Sequence, residues 1–195
     1  MSHDDRYTIP GSGGVLRNKR GITDPEELDR QLNAYASPAW TFLMRKGVPE
    51  PPGFEYLREI HRQMFSPLLD WAGELRDVEV IAGNTSIVYC RAQFIGPSLE
   101  SFFEKLAAED YLCGLNPERF AFTLADRWGE LSAIHPFRDG NTRSQSFYVT
   151  ALAARAGYDI AWESIDVDEL RTRRLRAVVG DEKPLGEYLL AHLIT

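Results

Sequence analysis

Apolar residues recur at helical spacing through most of the chain, and this period constrains the fold more than any other feature. The clearest run follows Asn116-Pro117, where the repeating residues are Phe120, Leu124, Trp128 and Leu131. This spacing places the apolar side chains on one face of a helix, which must be buried against other elements. Because proline, glycine and capping residues interrupt the period repeatedly, we predict several helices around one core.

The ends of these helices are predicted from local residues. Thr23-Asp24-Pro25-Glu26 favours a helix start with Thr23 as N-cap and Glu26 returning a capping-box bond, and this helix runs towards Tyr35. The other predicted helices run from Phe54 to Pro67, from Pro97, from Asn116, from Gly140 to Gly157, from Asp166 or Asp168, and after Pro184.

One segment has a composition typical of β-strands rather than helices. Around the turn at 82–86 lie the β-branched or aromatic residues Val78, Val80, Ile81, Ile87, Val88 and Tyr89. We predict a short hairpin over residues 77–91 and expect it to be the only sheet. Residues 1–20 carry no period and are expected to form an N-terminal arm. The predicted fold class is therefore mostly α, with residues 1–195 as a single domain and one hairpin.

Composition argues against several functional classes. The net charge of −7 gives no general basic surface, so we expect no direct nucleic acid partner. No stretch approaches the ~20 apolar residues that span a bilayer, so we expect no membrane partner. The two cysteines, Cys90 and Cys113, are too few for a disulfide framework and are interpreted as buried or incidental. We expect a cytoplasmic protein.

Reactive side chains concentrate between the helix from Asn116 and the helix after Gly140. The segment reads His135-Pro136-Phe137-Arg138-Asp139-Gly140-Asn141-Thr142-Arg143. A glycine at a helix start lets backbone N–H groups close around phosphate, and Arg143 could hold phosphate oxygens. Asp139 offers the hard oxygen ligand that Mg²⁺ prefers. His135 titrates near neutral pH and could accept a proton from a hydroxyl.

A structural interpretation of the same residues stays open on composition alone. In it, Pro136 and Gly140 set the geometry of a turn between helices, Phe137 fills the core and the charges are solvated. His61 lies among apolar residues at helical spacing, and we interpret it as a packed histidine with satisfied ring nitrogens rather than a ligand.

The segment resembles the Fic motif, His-x-Phe-x-Asp/Glu-Gly-Asn-Gly-Arg-x-x-Arg, which would occupy residues 135–146. The matching residues are His135, Phe137, Asp139, Gly140, Asn141 and Arg143. The likeness extends to residues 15–23 and to Trp71-Ala72-Gly73-Glu74-Leu75-Arg76, which resembles the segment before the family's hairpin. It covers most of the chain. By this likeness the hairpin at 77–91 resembles the flap that pairs with an extended segment of a target protein.

The resemblance implies a protein adenylyltransferase that moves AMP from ATP to a hydroxyl side chain. In that case His135 is the general base and Asp139 binds Mg²⁺. The expected nucleotide-binding residues are Arg138, Gly140, Asn141, Thr142 and Arg143, and those of the target-binding flap are Ile87, Val88 and Tyr89. Phe137 would anchor the loop in the core.

Two positions depart from the motif. Thr142 replaces a glycine, so its Cβ narrows the phosphate cradle, while its N–H can still face phosphate. Ser146 replaces the closing arginine, which in the family engages the γ-phosphate. Arg138 or Arg143 could take over that contact. Otherwise the chain transfers a different nucleotide or a phosphate, or it is a non-catalytic binding module.

The resemblance also implies partners. The family's self-inhibitory pattern is Ser or Thr, three residues, Glu, then Gly or Asn. It is absent from the sequence, and its nearest approximation, Thr23 to Glu27, is followed by Leu28 instead of Gly or Asn. Standalone domains of this kind resemble toxins that are restrained by a small antitoxin supplying the inhibitory helix. By likeness to such members, the expected target class is a type II topoisomerase.

Overall fold

The computed structural model describes residues 5–83 and 85–195, and within these ranges the chain is mostly helical, as predicted. Seven α-helices follow in order: α1 (Pro25–Lys46), α2 (Phe54–Phe65), α3 (Ile95–Ala108), α4 (Pro117–Ile134), α5 (Asn141–Arg155), α6 (Val167–Val178) and α7 (Lys183–Ala191). Single 3₁₀ turns occupy Ala92–Phe94, Asp110–Leu112 and Trp162–Ser164. None of the helices in the described part of the chain combines the length and apolar character needed to cross a membrane.

Several helix ends form where the local residues predicted them. Asn116 caps α4 by accepting a hydrogen bond from the Arg119 N–H at 2.9 Å. Asp166 caps α6 by accepting from the N–H groups of Asp168 and Glu169. These caps satisfy N–H groups that have no partner inside the helix.

The boundaries predicted for α1 are wrong at both ends. Asp24, not Thr23, is the N-cap, and its carboxylate accepts from the two following free N–H groups. Pro25 favours an extended backbone at Asp24, which is the conformation an N-cap needs. The helix also continues past Tyr35 to Lys46, because its buried face extends to Leu43 and packs against α2 despite the proline inside it.

The hairpin segment forms a single antiparallel bridge, Ile81 with Val88, rather than a sheet. The sheet in the described residues is instead the pair β1 (Asp159–Ile160) and β2 (Leu193–Ile194), with Asp159 opposite Ile194. The expectation that the flap is the only sheet was therefore wrong. At the outer ends of the hairpin segment, the carbonyls of Val78 and Cys90 accept hydrogen bonds from Arg76 rather than from a facing strand. These two carbonyls therefore do not extend the pairing beyond the bridge.

The helices share one apolar core with α4 at its centre. α4 packs against α3, α5, α6 and α7, and its Phe120 and Trp128 are almost fully buried. On the opposite side, α2 packs between α1 and α5. The described part of the N-terminal arm, residues 5–20, is also packed, because Tyr7 is buried and meets the Trp71 ring edge-on; residues 1–4 lie outside the described residues. The fold thus fixes the loop between α4 and α5 from several sides.

The two cysteines are free and partly buried. Cys113 lies within sulfur hydrogen-bond distance of the Arg155 carbonyl, and Cys90 lies near Ser98.

Candidate functional site

The loop at 135–140 connects α4 to α5 in a fixed conformation. His135 ends α4 in the left-handed region with φ 48°, and Gly140 precedes α5 with φ 76°. The Asn141 side chain closes the loop, because its Oδ1 accepts from the Phe137 N–H at 3.0 Å and its Nδ2 donates to the Phe137 carbonyl at 2.7 Å. Phe137 itself is fully buried, as predicted for a loop anchor.

Gly140 has no tolerance for a larger residue. A Cβ built on it would lie 2.4 Å from the Phe65 ring, and its positive φ disfavours any other residue. The turn into α5 therefore depends on the packing of α2 as well as on the glycine.

His61 supports the loop from beneath and is fully buried. Its Nδ1 accepts a hydrogen bond from the Gly73 N–H at 2.8 Å, and its Nε2 lies 2.9 Å from the Asp139 carbonyl oxygen. Because an amide N–H can only donate, Nδ1 is the unprotonated nitrogen and Nε2–H donates to Asp139. Both nitrogens are satisfied, which confirms the interpretation of His61 as a packed histidine.

Arg76 fixes the loop on the flap side, a role that the sequence did not reveal. Its side chain is 2% exposed and donates to the carbonyls of His135 at 2.8 Å, Val78 at 2.6 Å and Cys90 at 2.5 Å. Its backbone N–H donates to the Pro136 carbonyl at 2.9 Å. A single buried arginine thus joins both ends of the flap to the loop. The available signal was a charged residue leading directly into the hairpin.

The His135 ring is enclosed and neutral. The Tyr89 ring stacks on it with centroids 3.7 Å apart and planes 8° apart. Burial, together with the charges of Arg76 and Arg174, lowers the pKa of His135 to about 3. The imidazole is therefore an acceptor at neutral pH. Its Nδ1 is buried without a hydrogen bond, so exchange of a proton with the adjoining cavity falls to Nε2.

The start of α5 faces a polar cavity of about 340 Å³ beside His135. The first bond of α5 joins the Ser144 N–H to the Gly140 carbonyl, so the N–H groups of residues 141–143 have no acceptor inside the helix. These donors and the helix dipole favour an anion. The cavity is lined by Val80, Ile81, Ala82, Gly83, Tyr89, His135, Arg138, Asp139, Gly140, Asn141, Thr142, Arg143 and Arg171.

The residues predicted to bind the nucleotide differ in which of their polar groups are free to bind phosphate. Both polar atoms of the buried Asn141 side chain bond the Phe137 backbone, so the group of Asn141 that is placed to face an anion is its backbone N–H. Arg138 lines the cavity, but its Nε is paired with Asp5 of the arm at 2.9 Å. Arg143 donates to Asn33 of α1 at 2.7 Å. The binding roles of these residues stay predictions.

Asp139 projects a partly exposed carboxylate towards the cavity, with Oδ2 3.4 Å from the Arg143 guanidinium. Within residues 5–83 and 85–195, no three His, Cys, Asp or Glu side chains are grouped closely enough to hold a metal ion by themselves. The chemistry of the site nevertheless fits Mg²⁺, because this ion takes one or two protein carboxylates and completes its shell with phosphate oxygens and water.

The three flap residues occupy different environments. Val88 is 61% exposed and Ile87 is partly buried, so both are placed where a partner can reach them. Tyr89 instead turns inward onto His135. Its ring is thus part of the site, and its role in target binding stays a prediction.

The chain is similar in sequence to curated proteins along most of its length. Residues 52–153 match the Fic/DOC family. It is 31% identical over 177 residues to the probable protein adenylyltransferase Fic of Escherichia coli strain K12, covering 91% of this chain and 86% of that protein. It is 30% identical over 191 residues to the protein adenylyltransferase VbhT of Bartonella schoenbuchensis, covering 97% of this chain and 39% of that protein.

Solved structures share the fold. The N-terminal Fic domain of Bep8 from Bartonella sp. 1-1C superposes with a TM-score of 0.90 at 25% identity, covering 95% of this chain and 92% of that one. BepC of Bartonella tribocorum, whose structure holds AMPPNP, has a TM-score of 0.89 at 23% identity and covers 100% and 99%. The family match and the sequence identities establish that this chain belongs to the Fic/DOC family.

Proposed function

We propose that this chain is a protein adenylyltransferase that moves AMP from ATP to a hydroxyl side chain of another protein. The observation that carries the proposal is a neutral, partly buried His135 at the edge of a cavity that receives the N-terminus of α5. A base and an anion site therefore adjoin. Relatives in two genera are named protein adenylyltransferases.

The proposed reaction is one in-line displacement. His135 Nε2 takes the proton of the target hydroxyl, and the oxygen forms a bond to the α-phosphorus of ATP as the bond to pyrophosphate breaks. The N–H groups at the start of α5 hold phosphate oxygens and stabilise the charge that develops on them. Asp139 would supply one oxygen to Mg²⁺, which when bound offsets charge on the phosphates.

The enclosure of His135 suits this role once phosphate is present. In the free protein its pKa is about 3, because burial and two arginines oppose the imidazolium. Phosphate groups beside the ring favour the imidazolium and raise its pKa, which makes it a stronger base in the complex. The stacked Tyr89 covers a ring face, whereas proton transfer uses the in-plane lone pair.

We also propose that the flap binds the target, with Ile87 and Val88 as the contacting side chains. Their apolar surface is partly or mostly exposed beside the site, and an extended segment can add to a strand edge there. Val88→Asp should reduce target modification about tenfold or more, since a charge is costly to bury at an interface. Its midpoint of thermal unfolding and its ATP affinity should equal those of wild type. A lowered midpoint would show that Val88 serves the fold instead.

From the family resemblance we further propose that the chain is a cytoplasmic toxin. Its partners would be a small antitoxin that supplies an inhibitory helix and a type II topoisomerase as the target. Two other candidate functions are transfer of a different nucleotide or a phosphate, and non-catalytic binding. Ser146 supports them, because the motif has an arginine at this position that contacts phosphate.

Labelled ATP separates these functions. Purified protein and a bacterial lysate are incubated with ATP carrying ³²P at either the α- or the γ-position. AMP transfer labels a protein band from α-labelled ATP and leaves γ-labelled ATP without a product band. Phosphate transfer gives the reverse result. If neither ATP label appears on a protein, α-labelled GTP, CTP and UTP are tested next. A band then identifies transfer of a different nucleotide, and binding without a band from any donor identifies a binding module.

A further inference from the structure

A buried arginine on α6 adjoins the N-terminus of α5. Arg174 is 5% exposed, and its Nη1 donates to the Thr142 hydroxyl at 3.2 Å. Its guanidinium carbon lies 5.3 Å from the centre of the Trp128 ring. Its Nε is buried without a hydrogen-bond partner. A neutral hydroxyl and an aromatic face are thus the groups that the protein gives this cation.

The other buried arginines of residues 5–83 and 85–195 have carboxylate or carbonyl acceptors around their guanidinium groups. Arg127, 6% exposed, pairs with both carboxylate oxygens of Glu109 at 2.8 and 2.9 Å and also contacts Glu130. Arg76 donates to backbone carbonyls, as described above. No carboxylate of residues 5–83 and 85–195 lies within salt-bridge distance of Arg174. Burial of an uncompensated charge is unfavourable, so this arginine is arranged for an anion that the chain does not supply.

The position of Arg174 indicates which anion. Beside the cavity at the start of α5 lies a second cavity of about 630 Å³, whose lining includes Arg174 and Ser146. The two cavities share Tyr89, Thr142, Arg143 and Arg171 in their walls. Burial lowers the pKa of Arg174 to about 10, and the nearby cation Arg171 adds to the shift. A phosphate chain that begins at the N-H groups of α5 can therefore extend towards Arg174.

The two departures from the motif fit this arrangement. Thr142 and Ser146 lie four residues apart on α5, so they share one face of the helix. The Thr142 hydroxyl contacts Arg174, and the short Ser146 side chain leaves space in the same cavity wall. A cation from α6 thus lies near the place where the motif would put one from α5.

We propose that Arg174 binds the terminal phosphates of the donor nucleotide, with Thr142 as the residue that positions it. This inference rests on the proposed function for the identity of the donor, but the phosphate contact can be tested without any transfer. It differs from a contact by Arg138 or Arg143, each of which already has a polar partner elsewhere.

The first experiment measures binding to purified Arg174→Met and wild type by calorimetry. The probes are ATP, AMP, adenosine and inorganic tripolyphosphate, because they separate phosphate contacts from base contacts. Methionine keeps an apolar stem against Trp128. We expect ATP and tripolyphosphate to bind about ten- to a hundredfold more weakly, as for loss of a charge-assisted bond, and adenosine to bind as in wild type. The matched control is Arg176→Met, which removes an exposed arginine of α6 paired with Asp181.

A charge-relocation experiment guards against a merely structural effect. Ser146→Arg should give little gain alone, because it adds a cation beside Arg174. In the Arg174→Met background it should restore most of the lost affinity for ATP and tripolyphosphate, a coupling that a double-mutant cycle measures. For the positioning role, Thr142→Val should weaken ATP binding, whereas Thr142→Ser, which keeps the hydroxyl, should not.

The outcomes distinguish this inference from the proposed function. Equal losses for adenosine and tripolyphosphate, or no loss in Arg174→Met, would overturn the phosphate contact while leaving AMP transfer possible. Failure of wild type to bind any polyphosphate would also overturn it. If wild type binds tripolyphosphate through Arg174 but never transfers AMP, the inference stands and the proposed function fails.

Discussion

Two histidines are part of the packing around the loop at 135–140: His61 lies beneath the loop and His135 begins it, and their surroundings differ. His61 and His135 both have their pKa lowered to about 3 by burial. Both His61 nitrogens are hydrogen-bonded, whereas the His135 Nδ1 has no partner and its ring borders the cavity. A lowered pKa therefore does not identify a catalytic histidine by itself. Hydrogen-bond satisfaction and access to a cavity separate the two.

The largest expected effect is on stability and comes from His61. His61→Ala should lower the free energy of unfolding by about 3–5 kcal/mol, because it leaves a cavity and two buried backbone groups without partners. Urea denaturation measures this loss. The matched control is His192→Ala, where a partly exposed ring near the chain end should cost under about 1 kcal/mol. Equal losses in the two variants would contradict the supporting role of His61.

His135 should behave in the opposite way. His135→Ala should reduce AMP transfer by about a hundredfold or more, since no other described group in the cavity wall is a neutral base. ATP affinity should change little, and the free energy of unfolding should fall by roughly 1 kcal/mol, because the stacking contact with Tyr89 is lost. The rate is measured with α-labelled ATP and the stability with urea. Unchanged transfer would remove His135 from the mechanism.

Asp139 contacts His61 through its backbone and the cavity through its side chain, so a change of the side chain separates the two environments. Its carbonyl accepts from His61, while its carboxylate faces the cavity. Asp139→Ala keeps the carbonyl, so stability should stay near that of wild type. The factor by which Mg²⁺ tightens ATP binding should fall about tenfold or more. Calorimetry with and without Mg²⁺ tests this, and wild-type affinity that is indifferent to Mg²⁺ would refute the assignment.

Acidification tests both histidines together. Each has a folded pKa of about 3 against an unfolded value of about 6.5, so the unfolded chain binds more protons between these pH values. Stability should thus fall as pH drops below about 6.5, by up to about 1.4 kcal/mol per pH unit for each histidine. Urea denaturation from pH 7.5 to 4.5 measures the slope. Bound ATP should raise the pKa of His135 and leave that of His61 unchanged, which histidine ring NMR signals can follow.

Much of the fold and of the site follows from local sequence. The bounds of α2, the caps of α4 and α6, and the helix–loop–helix around Gly140 depend on neighbouring residues, so the sequence predicts them. The packed state of His61 was predicted from its apolar neighbours. The length of α1 was not, because its contact with α2 outweighs the proline inside it.

The sequence by itself determined the helical fold, the loop and the reactive residues within it, because helix ends and tight turns depend on a few adjacent side chains. Tertiary structure decided which of those side chains are free. Asp5 pairs with Arg138 across 133 positions, Arg76 bonds His135 across 59, and Arg174 meets Thr142 across 32. Such contacts depend on how distant helices pack, and no local pattern encodes them.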